Sequence, residues 1–248
     1  MLIDIHSHLD FYSDKKIKYV IENAKKHKVK FIIVNSVNLK SLKKIFKLSE
    51  KYSLIKISAG LYPEKDLSLK KYEEFEKFVK ENKNKIVAIG EIGLDKTENL
   101  DFEFQKKIFI KQLNLSKELE LPVIIHSRKA EKEVLKILEK YSRVTKILHC
   151  FMGNFSLIKK ANEMGCYFSI PTNIIRSEHF QRMIAELPKE RIFTETDTPY
   201  LSPYKDIREN ESSFIKESIK KISEIWKLSE KEVERIIENN FEKIFKIN

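Results

Sequence analysis

Six residues in five short motifs carry side chains that bind divalent metal ions. They are His6 and His8 in LIDIHSHLD, Glu91 in VAIGEIGLD, His126 in PVIIHSR, His149 in KILHCF and Asp197 in RIFTETDTPYL. Imidazole nitrogen and carboxylate oxygen are the ligands that zinc, manganese and similar ions take from proteins. These residue types predict metal-assisted chemistry, in which an ion polarises a substrate oxygen or activates water.

Each motif by itself also has an ordinary structural interpretation. His6 and His8 are two residues apart, which directs both imidazoles to one face of a strand, but such pairs also occur on surfaces and in cores. Glu91 could bridge two ions, cap the next segment or pair with a lysine. A buried histidine such as His126 or His149 can be satisfied by one hydrogen bond. The motifs therefore gain weight only as a set.

Three further residues near these motifs have weaker assignments. Asp197 is the better ligand of the ETD run because its carboxylate can bind a metal and accept a proton, whereas Glu195 is expected to support the ligands or fill the interior. Asp95 is expected to be a loop or capping residue. Arg128 can hold a phosphate or a carboxylate through two hydrogen bonds, or form a surface ion pair.

Short apolar runs alternate with amphipathic segments from one end of the chain to the other. We expect strands at residues 2–6, 31–35, 55–60, 86–91, 123–126, 146–149, 167–170 and 192–195. Apolar residues recur between them at spacings of three and four, which is typical of crossover helices. Eight such units predict an α/β fold, a single (β/α)8 TIM-type barrel domain over residues 1–248. An open doubly wound sheet is the alternative, but its Gly-rich phosphate turn is absent.

The predicted barrel gives the six candidate ligands a common position. All of them fall at the C-terminal ends of the first, fourth, fifth, sixth and eighth strands, and barrel active sites lie on that face. Of the 6 histidines, only His27 and His179 lie elsewhere. The set therefore predicts one active site.

The composition limits the classes of binding partner and the cellular location that we expect for this protein. The formal net charge of +11 could attract a polyanion, although lysines interleaved with Glu are also typical of solvated helix faces. The apolar runs are far shorter than the roughly 18 residues of a membrane span, and the start does not resemble a signal peptide. The 2 cysteines make no disulfide framework. We expect a cytoplasmic protein without a membrane partner or an organic cofactor.

Taken together, the chain resembles the TatD family of metal-dependent deoxyribonucleases, within the amidohydrolase-like barrels. The likeness rests on DIHSHLDF, GEIGLD, LPVIIHSR, HCFMGN and ETDTPYLSP, which occur in the family's order. It implies two divalent ions, whether Mg, Mn, Zn, Co or Ni, and DNA as the substrate. The implied ligands are His6, His8, Glu91 and Asp197 for one ion, and Glu91, His126 and His149 for the other. It also implies that Asp197 is the general base.

Two loops depart from the family's pattern. After the third strand, GLYPEK carries Tyr62 and Pro63 and lacks the histidine that the family often has in this segment. After the eighth strand, IRENESSF lacks the proline of the usual Arg-Asn-x-Pro pattern. Arg208 and Asn210 of this loop, together with Arg128, are the candidate substrate contacts.

Three functions are compatible with these features. The leading hypothesis is hydrolysis of DNA phosphodiester bonds by metal-activated water. The same barrel chemistry also polarises carbonyls, so hydrolysis of an amide, ester or cyclic amide in a small molecule is the alternative. A non-catalytic nucleic-acid-binding barrel is the third, but such a protein is expected to have lost ligands and this chain keeps all six.

Overall fold

The computed structural model describes residues 1–247, so Asn248, the last residue of the predicted domain, lies outside them. Eight strands are present in this range: β1 (Leu2–Ser7), β2 (Val29–Asn35), β3 (Ile55–Ala59), β4 (Ile86–Asp95), β5 (Val123–Arg128), β6 (Lys146–His149), β7 (Tyr167–Pro171) and β8 (Ile192–Glu195). The α-helices of the same range are α1 (Asp14–Lys26), α2 (Leu39–Lys51), α3 (Leu69–Glu81), α4 (Phe102–Leu119), α5 (Glu131–Leu138), α6 (Phe155–Glu163), α7 (Glu178–Glu186), α8 (Ile215–Trp226) and α9 (Glu230–Ile244).

The strands form one sheet in the order of the sequence, from β1 to β8. Neighbours pair in parallel, as in β1 with β2, β4 with β5 and β7 with β8. The last strand also meets the first, because the Asp197 amide donates to the His6 carbonyl and the His8 amide donates to the Thr198 carbonyl. A helix follows every strand, so the topology is that of the (β/α)8 TIM-type barrel. The predicted fold class is confirmed.

Contacts between Cα atoms divide the chain into two compact units. Unit 1 comprises Met1–Val34, Lys47–Lys56 and Phe168–Asn248, and unit 2 comprises Asn35–Phe46 and Ile57–Tyr167. Each unit has its own buried aromatic side chains. Those of unit 1 include Phe168, Phe180, Phe193 and Phe241, and those of unit 2 include Phe75, Phe109 and Phe151. The single-domain assignment stays a prediction.

Helices α1, α3, α4, α6, α7 and α9 begin where the sequence supplies a side chain that accepts a hydrogen bond from the first turn. Such caps are Ser13, Ser68, Asp101, Asn154, Ser177 and Ser229. A polar oxygen at this position satisfies an amide that has no partner inside the helix. Among residues 1–247, none of the helices combines the length and apolar character needed to cross a membrane.

Two buried glutamines on α4 bind the backbone just after β3 and at the end of β4. Gln105 and Gln112 are seven residues apart and therefore lie on the same face of the helix. The Gln112 amide accepts from the Leu61 amide at 2.8 Å and donates to the Leu61 carbonyl at 3.0 Å. Gln105 makes the same pair of bonds with the backbone of Asp95, each at 2.9 Å. These bonds fix the backbone just after β3 and at the end of β4.

We predict that Gln112→Leu destabilises the protein although it keeps the volume of the side chain. The Leu61 amide and carbonyl would be left buried without partners, which costs about 2–3 kcal/mol. Urea unfolding followed by circular dichroism measures this change. Lys107→Leu on the exposed face of the same helix is the control, and an equal loss in both variants would contradict the assigned role.

Candidate functional site

The first cluster of candidate ligands lies in unit 1, where the end of β1 meets the segment after β8. The Nε2 atoms of His6 and His8 are 3.1 Å apart, and the Asp197 Oδ1 atom lies 3.5 Å from each of them. His6 is fully buried and His8 is nearly so. Asp197 has a left-handed backbone, with φ of 56°, and an Asp side chain tolerates this conformation. The structure thus brings Asp197 beside two histidines that lie near the start of the sequence.

A buried carboxyl group ties β1 to the chain after β8. Asp4 accepts hydrogen bonds from the Thr196 amide at 2.9 Å, from the Thr196 hydroxyl at 2.7 Å and from the Ser212 hydroxyl at 2.7 Å. Burial raises the pKa of Asp4 to about 7, although these hydrogen bonds lower it. Ser212, in the segment after β8, therefore adds a hydrogen bond to the support of the cluster.

Asn210, a predicted substrate contact, is instead a scaffold residue. It is fully buried, and its side-chain amide donates to the Thr196 carbonyl at 2.7 Å and to the Thr172 hydroxyl at 2.8 Å. Its backbone carbonyl accepts from the hydroxyls of Tyr12 at 2.7 Å and Thr198 at 2.6 Å. A side chain enclosed in this way has no surface to offer a substrate. Residue type and family pattern gave no indication of its burial.

Arg208 and Arg128, the other predicted substrate contacts, are both exposed. Arg208 lies in the loop after β8 in unit 1, and Arg128 ends β5 in unit 2. Glu195 is fully buried at the end of β8, and it accepts a hydrogen bond from the Ser169 hydroxyl on β7. The expected supporting role of Glu195 stays a prediction.

Phe11 was missed by the sequence analysis. Its ring stacks on the ring of His8, with 5.0 Å between centroids and 12° between planes, and 46% of the residue is exposed. One face of Phe11 therefore covers a candidate ligand. The DIHSHLDF motif contained this residue, but nothing in its spacing distinguished it from a core aromatic.

The second cluster lies in unit 2, on β4, β5 and β6. The Glu91 Oε1 atom is 2.8 Å from His126 Nδ1 and 3.9 Å from His149 Nε2. Glu91 and His149 are buried, and His126 has 15% of its side chain exposed. Glu91 lies within β4, His126 lies within β5 and His149 ends β6, so neighbouring parallel strands carry all three residues.

The strand that carries Glu91 extends further than expected. β4 runs on to Asp95, so Glu91 lies inside the strand and not at its exit. The register with β5 shifts between Ile89 and Ile92, and Gly93 then pairs with His126. Asp95 ends the strand fully buried, which corrects its expected place in a loop or at a cap.

Asp95 and Tyr62 both lie against His126, although neither was predicted to belong to the site. Asp95 Oδ2 accepts from the Tyr62 hydroxyl at 2.5 Å and lies 3.2 Å from His126 Nε2. Burial raises the pKa of Asp95, but hydrogen bonds from His126, Thr97 and Tyr62 outweigh it and hold that pKa well below its usual value. Burial likewise opposes protonation of His126, but its contacts with Asp95 and Glu91 outweigh that effect and raise its pKa.

Two glycines allow the backbones of unit 2 to come this close. A Cβ on Gly93 would lie 1.9 Å from the His126 carbonyl oxygen, and Gly93 has a φ of 153°. A Cβ on Gly60 would lie 2.4 Å from the Glu91 carbonyl oxygen. Close approach of neighbouring strands at these points therefore requires residues without side chains.

Both clusters fit a divalent metal ion by donor chemistry and spacing. Each offers two imidazoles and one carboxylate whose ligand atoms lie within 4.8 Å of one another. Ligands about 2.05 Å from a tetrahedral ion are separated by about 3.3 Å. The separations of 3.1 and 3.5 Å in the first cluster match that value. His6, His8 and Asp197 could hold one ion, and Glu91, His126 and His149 could hold another.

Comparison with known proteins gives one consistent family. The model of the TatD related DNase family matches residues 3–246. The chain is 32% identical to the metal-dependent hydrolase YabD of Bacillus subtilis, with 100% of both chains covered. It is 33% identical to the human deoxyribonuclease TATDN3, with 98% of this chain and 94% of that protein covered. The crystal structure of YJJV, a TatD homologue from Escherichia coli, is 24% identical and has a TM-score of 0.91, covering 100% of this chain and 98% of that one.

We predict that Gly93→Ala destabilises the protein by about 2–4 kcal/mol, because a methyl group cannot fit against the His126 carbonyl and the backbone conformation disfavours it. Thermal unfolding measured with and without added metal checks this. Gly153→Ala is a suitable comparison, because its Cβ would meet a side chain, the Phe151 ring at 2.5 Å, and not a backbone. A Gly93 variant as stable as the wild type would show that β4 and β5 can separate without cost.

Proposed function

Because the chain belongs to the TatD related DNase family, we propose that it is a divalent-metal-dependent deoxyribonuclease that hydrolyses phosphodiester bonds in DNA. The observation that carries this proposal is the pair of clusters, each made of two histidines and a carboxylate that lie on the strands or just after them. Family membership supports a metal-dependent hydrolase, and the human relative is named a deoxyribonuclease. DNA is therefore the proposed substrate, because the family and the human relative are both named for DNA hydrolysis.

We infer that His6, His8 and Asp197 would hold one divalent ion and that Glu91, His126 and His149 would hold another. When bound, the ions would lower the pKa of water and stabilise the charge that grows on the phosphoryl oxygens. Histidine and carboxylate donors accept Mg, Mn, Zn, Co or Ni, so the donor set supports this range of metals.

Asp197 is the proposed general base. Its side chain is 16% exposed, whereas those of His6 and His8 are 0% and 5% exposed. It is therefore the member of its cluster that water reaches most easily. A carboxylate that faces two imidazoles through one oxygen can accept the proton of an attacking water within hydrogen-bond reach.

Arg128 and Arg208 are the proposed phosphate contacts. Both residues are exposed. Arg128 ends β5, which carries His126, and Arg208 follows Asp197 in the loop after β8. Arginine can bind a phosphate through two parallel hydrogen bonds. The formal net charge of +11 would also favour the approach of a polyanion.

We predict that DNA cleavage depends strictly on added metal. The protein is stripped with a chelator, reloaded separately with Mg, Mn, Zn, Co or Ni, and incubated with single-stranded and double-stranded DNA. Cleavage should appear with at least one metal and disappear again on chelation. A metal-loaded protein that leaves both DNAs intact but hydrolyses amides or esters from a small panel would overturn the proposed substrate in favour of acyl chemistry.

We also predict that His126→Ala removes about one bound metal per chain and lowers DNA hydrolysis at least about 100-fold, because a ligand of one cluster is lost. Elemental analysis and the cleavage assay measure the two effects, and circular dichroism shows whether the fold is kept. The control is His179→Ala, a histidine on α7 outside both clusters. Full metal content and activity in the His126 variant would contradict its place among the ligands.

A further inference from the structure

Tyr62 stands in the segment after β3 that departs from the family's pattern, and its hydroxyl lies beside a candidate ligand. The oxygen is 2.5 Å from Asp95 Oδ2 and 3.4 Å from His126 Nε2. The Tyr62 and His126 rings meet edge to face, with centroids 4.9 Å apart. A tyrosine in this segment therefore does more than fill space.

The three side chains leave one consistent arrangement of protons. The Asp95 carboxylate can only accept, so the Tyr62 hydroxyl donates to it. His126 Nε2 faces the same Asp95 oxygen at 3.2 Å and donates as well. The other ring nitrogen, Nδ1, lies 2.8 Å from Glu91 Oε1, and without an ion it carries a proton that it donates to that carboxylate oxygen. An ion bound beside Glu91 would take the place of this proton, and the Nε2 proton held by Asp95 would leave Nδ1 as the ligand atom.

Asp95 and Tyr62 are themselves held rigidly. The second Asp95 oxygen accepts from the Thr97 amide at 2.7 Å and from the Thr97 hydroxyl at 2.6 Å. Gln105 binds the Asp95 backbone, and Gln112 binds that of Leu61 next to Tyr62. Both partners of His126 are therefore fixed before any ion binds, which is the condition for orienting a ligand.

We propose that Tyr62 and Asp95 are positioning residues that fix the ring and the proton of His126, so that Nδ1 is presented to a divalent ion beside Glu91. The proposal rests on the proposed function only in taking Glu91 and His126 as ligands. Since the Tyr62 proton is committed to Asp95, Tyr62 is not a proton donor to the substrate. Tyr62 acts on metal binding only by orienting His126.

The test is a titration of the metal-free protein with Co²⁺ alone, followed by calorimetry and by the visible absorption of the ion. His126→Ala identifies the binding step that belongs to this cluster. Tyr62→Phe removes only the hydroxyl, and Asp95→Asn replaces an acceptor oxygen at constant size. The matched control is Tyr72→Phe, because the buried Tyr72 hydroxyl also donates a hydrogen bond in unit 2, to the Lys111 carbonyl at 3.2 Å.

We expect Tyr62→Phe to weaken the His126-dependent step by about 10-fold and Asp95→Asn by about 10-fold to 100-fold, as is usual for partners of metal ligands. The Co²⁺ absorption of that step should shift, and Tyr72→Phe should leave both readouts unchanged. Tyr62→His should restore most of the affinity, because an imidazole N–H can also donate to Asp95.

The proposal is overturned if Tyr62→Phe and Asp95→Asn bind Co²⁺ with wild-type affinity and absorption, or if no His126-dependent step exists. An equal loss in Tyr72→Phe would also overturn it, because the effect would then follow from removing any buried tyrosine hydroxyl. DNA cleavage is measured separately. A wild type that binds Co²⁺ as expected but leaves DNA intact contradicts the proposed function, while the Co²⁺ titration still decides the role of Tyr62.

Discussion

The contact between the first and the last strand is the constraint on which the first cluster depends. The Asp197 amide bonds to the His6 carbonyl at 2.9 Å, and the His8 amide bonds to the Thr198 carbonyl at 2.8 Å. These backbone bonds lock the register of the two segments, so the Asp197 carboxylate must lie beside both imidazoles. A shift of one residue would turn the side chains to the opposite face. The chemistry of this cluster is therefore set by backbone pairing.

Buried polar groups protect that register from slipping. Asp4 and Asn210 hold the chain after β8 through hydrogen bonds to Thr196, Ser212 and the neighbouring backbone. Such groups stabilise a structure only when all their partners are in place, since an unpaired buried polar group is costly. In unit 2, the two glutamines of α4 hold the backbone in place through hydrogen bonds. Glycines there allow neighbouring backbones to approach closely. Each cluster thus has its own rigid support.

Much of the site could be predicted because ligand chemistry and strand periodicity are local properties. The eight predicted strands correspond to the observed ones, and the structure groups the six predicted ligands into two clusters of three. The errors concern residues whose role depends on distant partners. Asp95 looked like a loop residue because Gln105, Tyr62 and His126 reach it only in the folded chain. Asn210 looked like a surface contact because burial cannot be read from one polar residue in a loop.

The sequence alone therefore determined the fold class, the family and the identity of the candidate ligands. Alternation of apolar runs with amphipathic segments is enough to predict the fold class, and the metal-binding side chains of five ordered motifs are enough to predict the family and the candidate ligands. Only the tertiary structure decided how each ligand is oriented. It placed the Tyr62–Asp95 pair on His126 and Ser212 on Asp4. Orientation depends on contacts between residues far apart in the chain, and these exist only once strand register and packing are fixed.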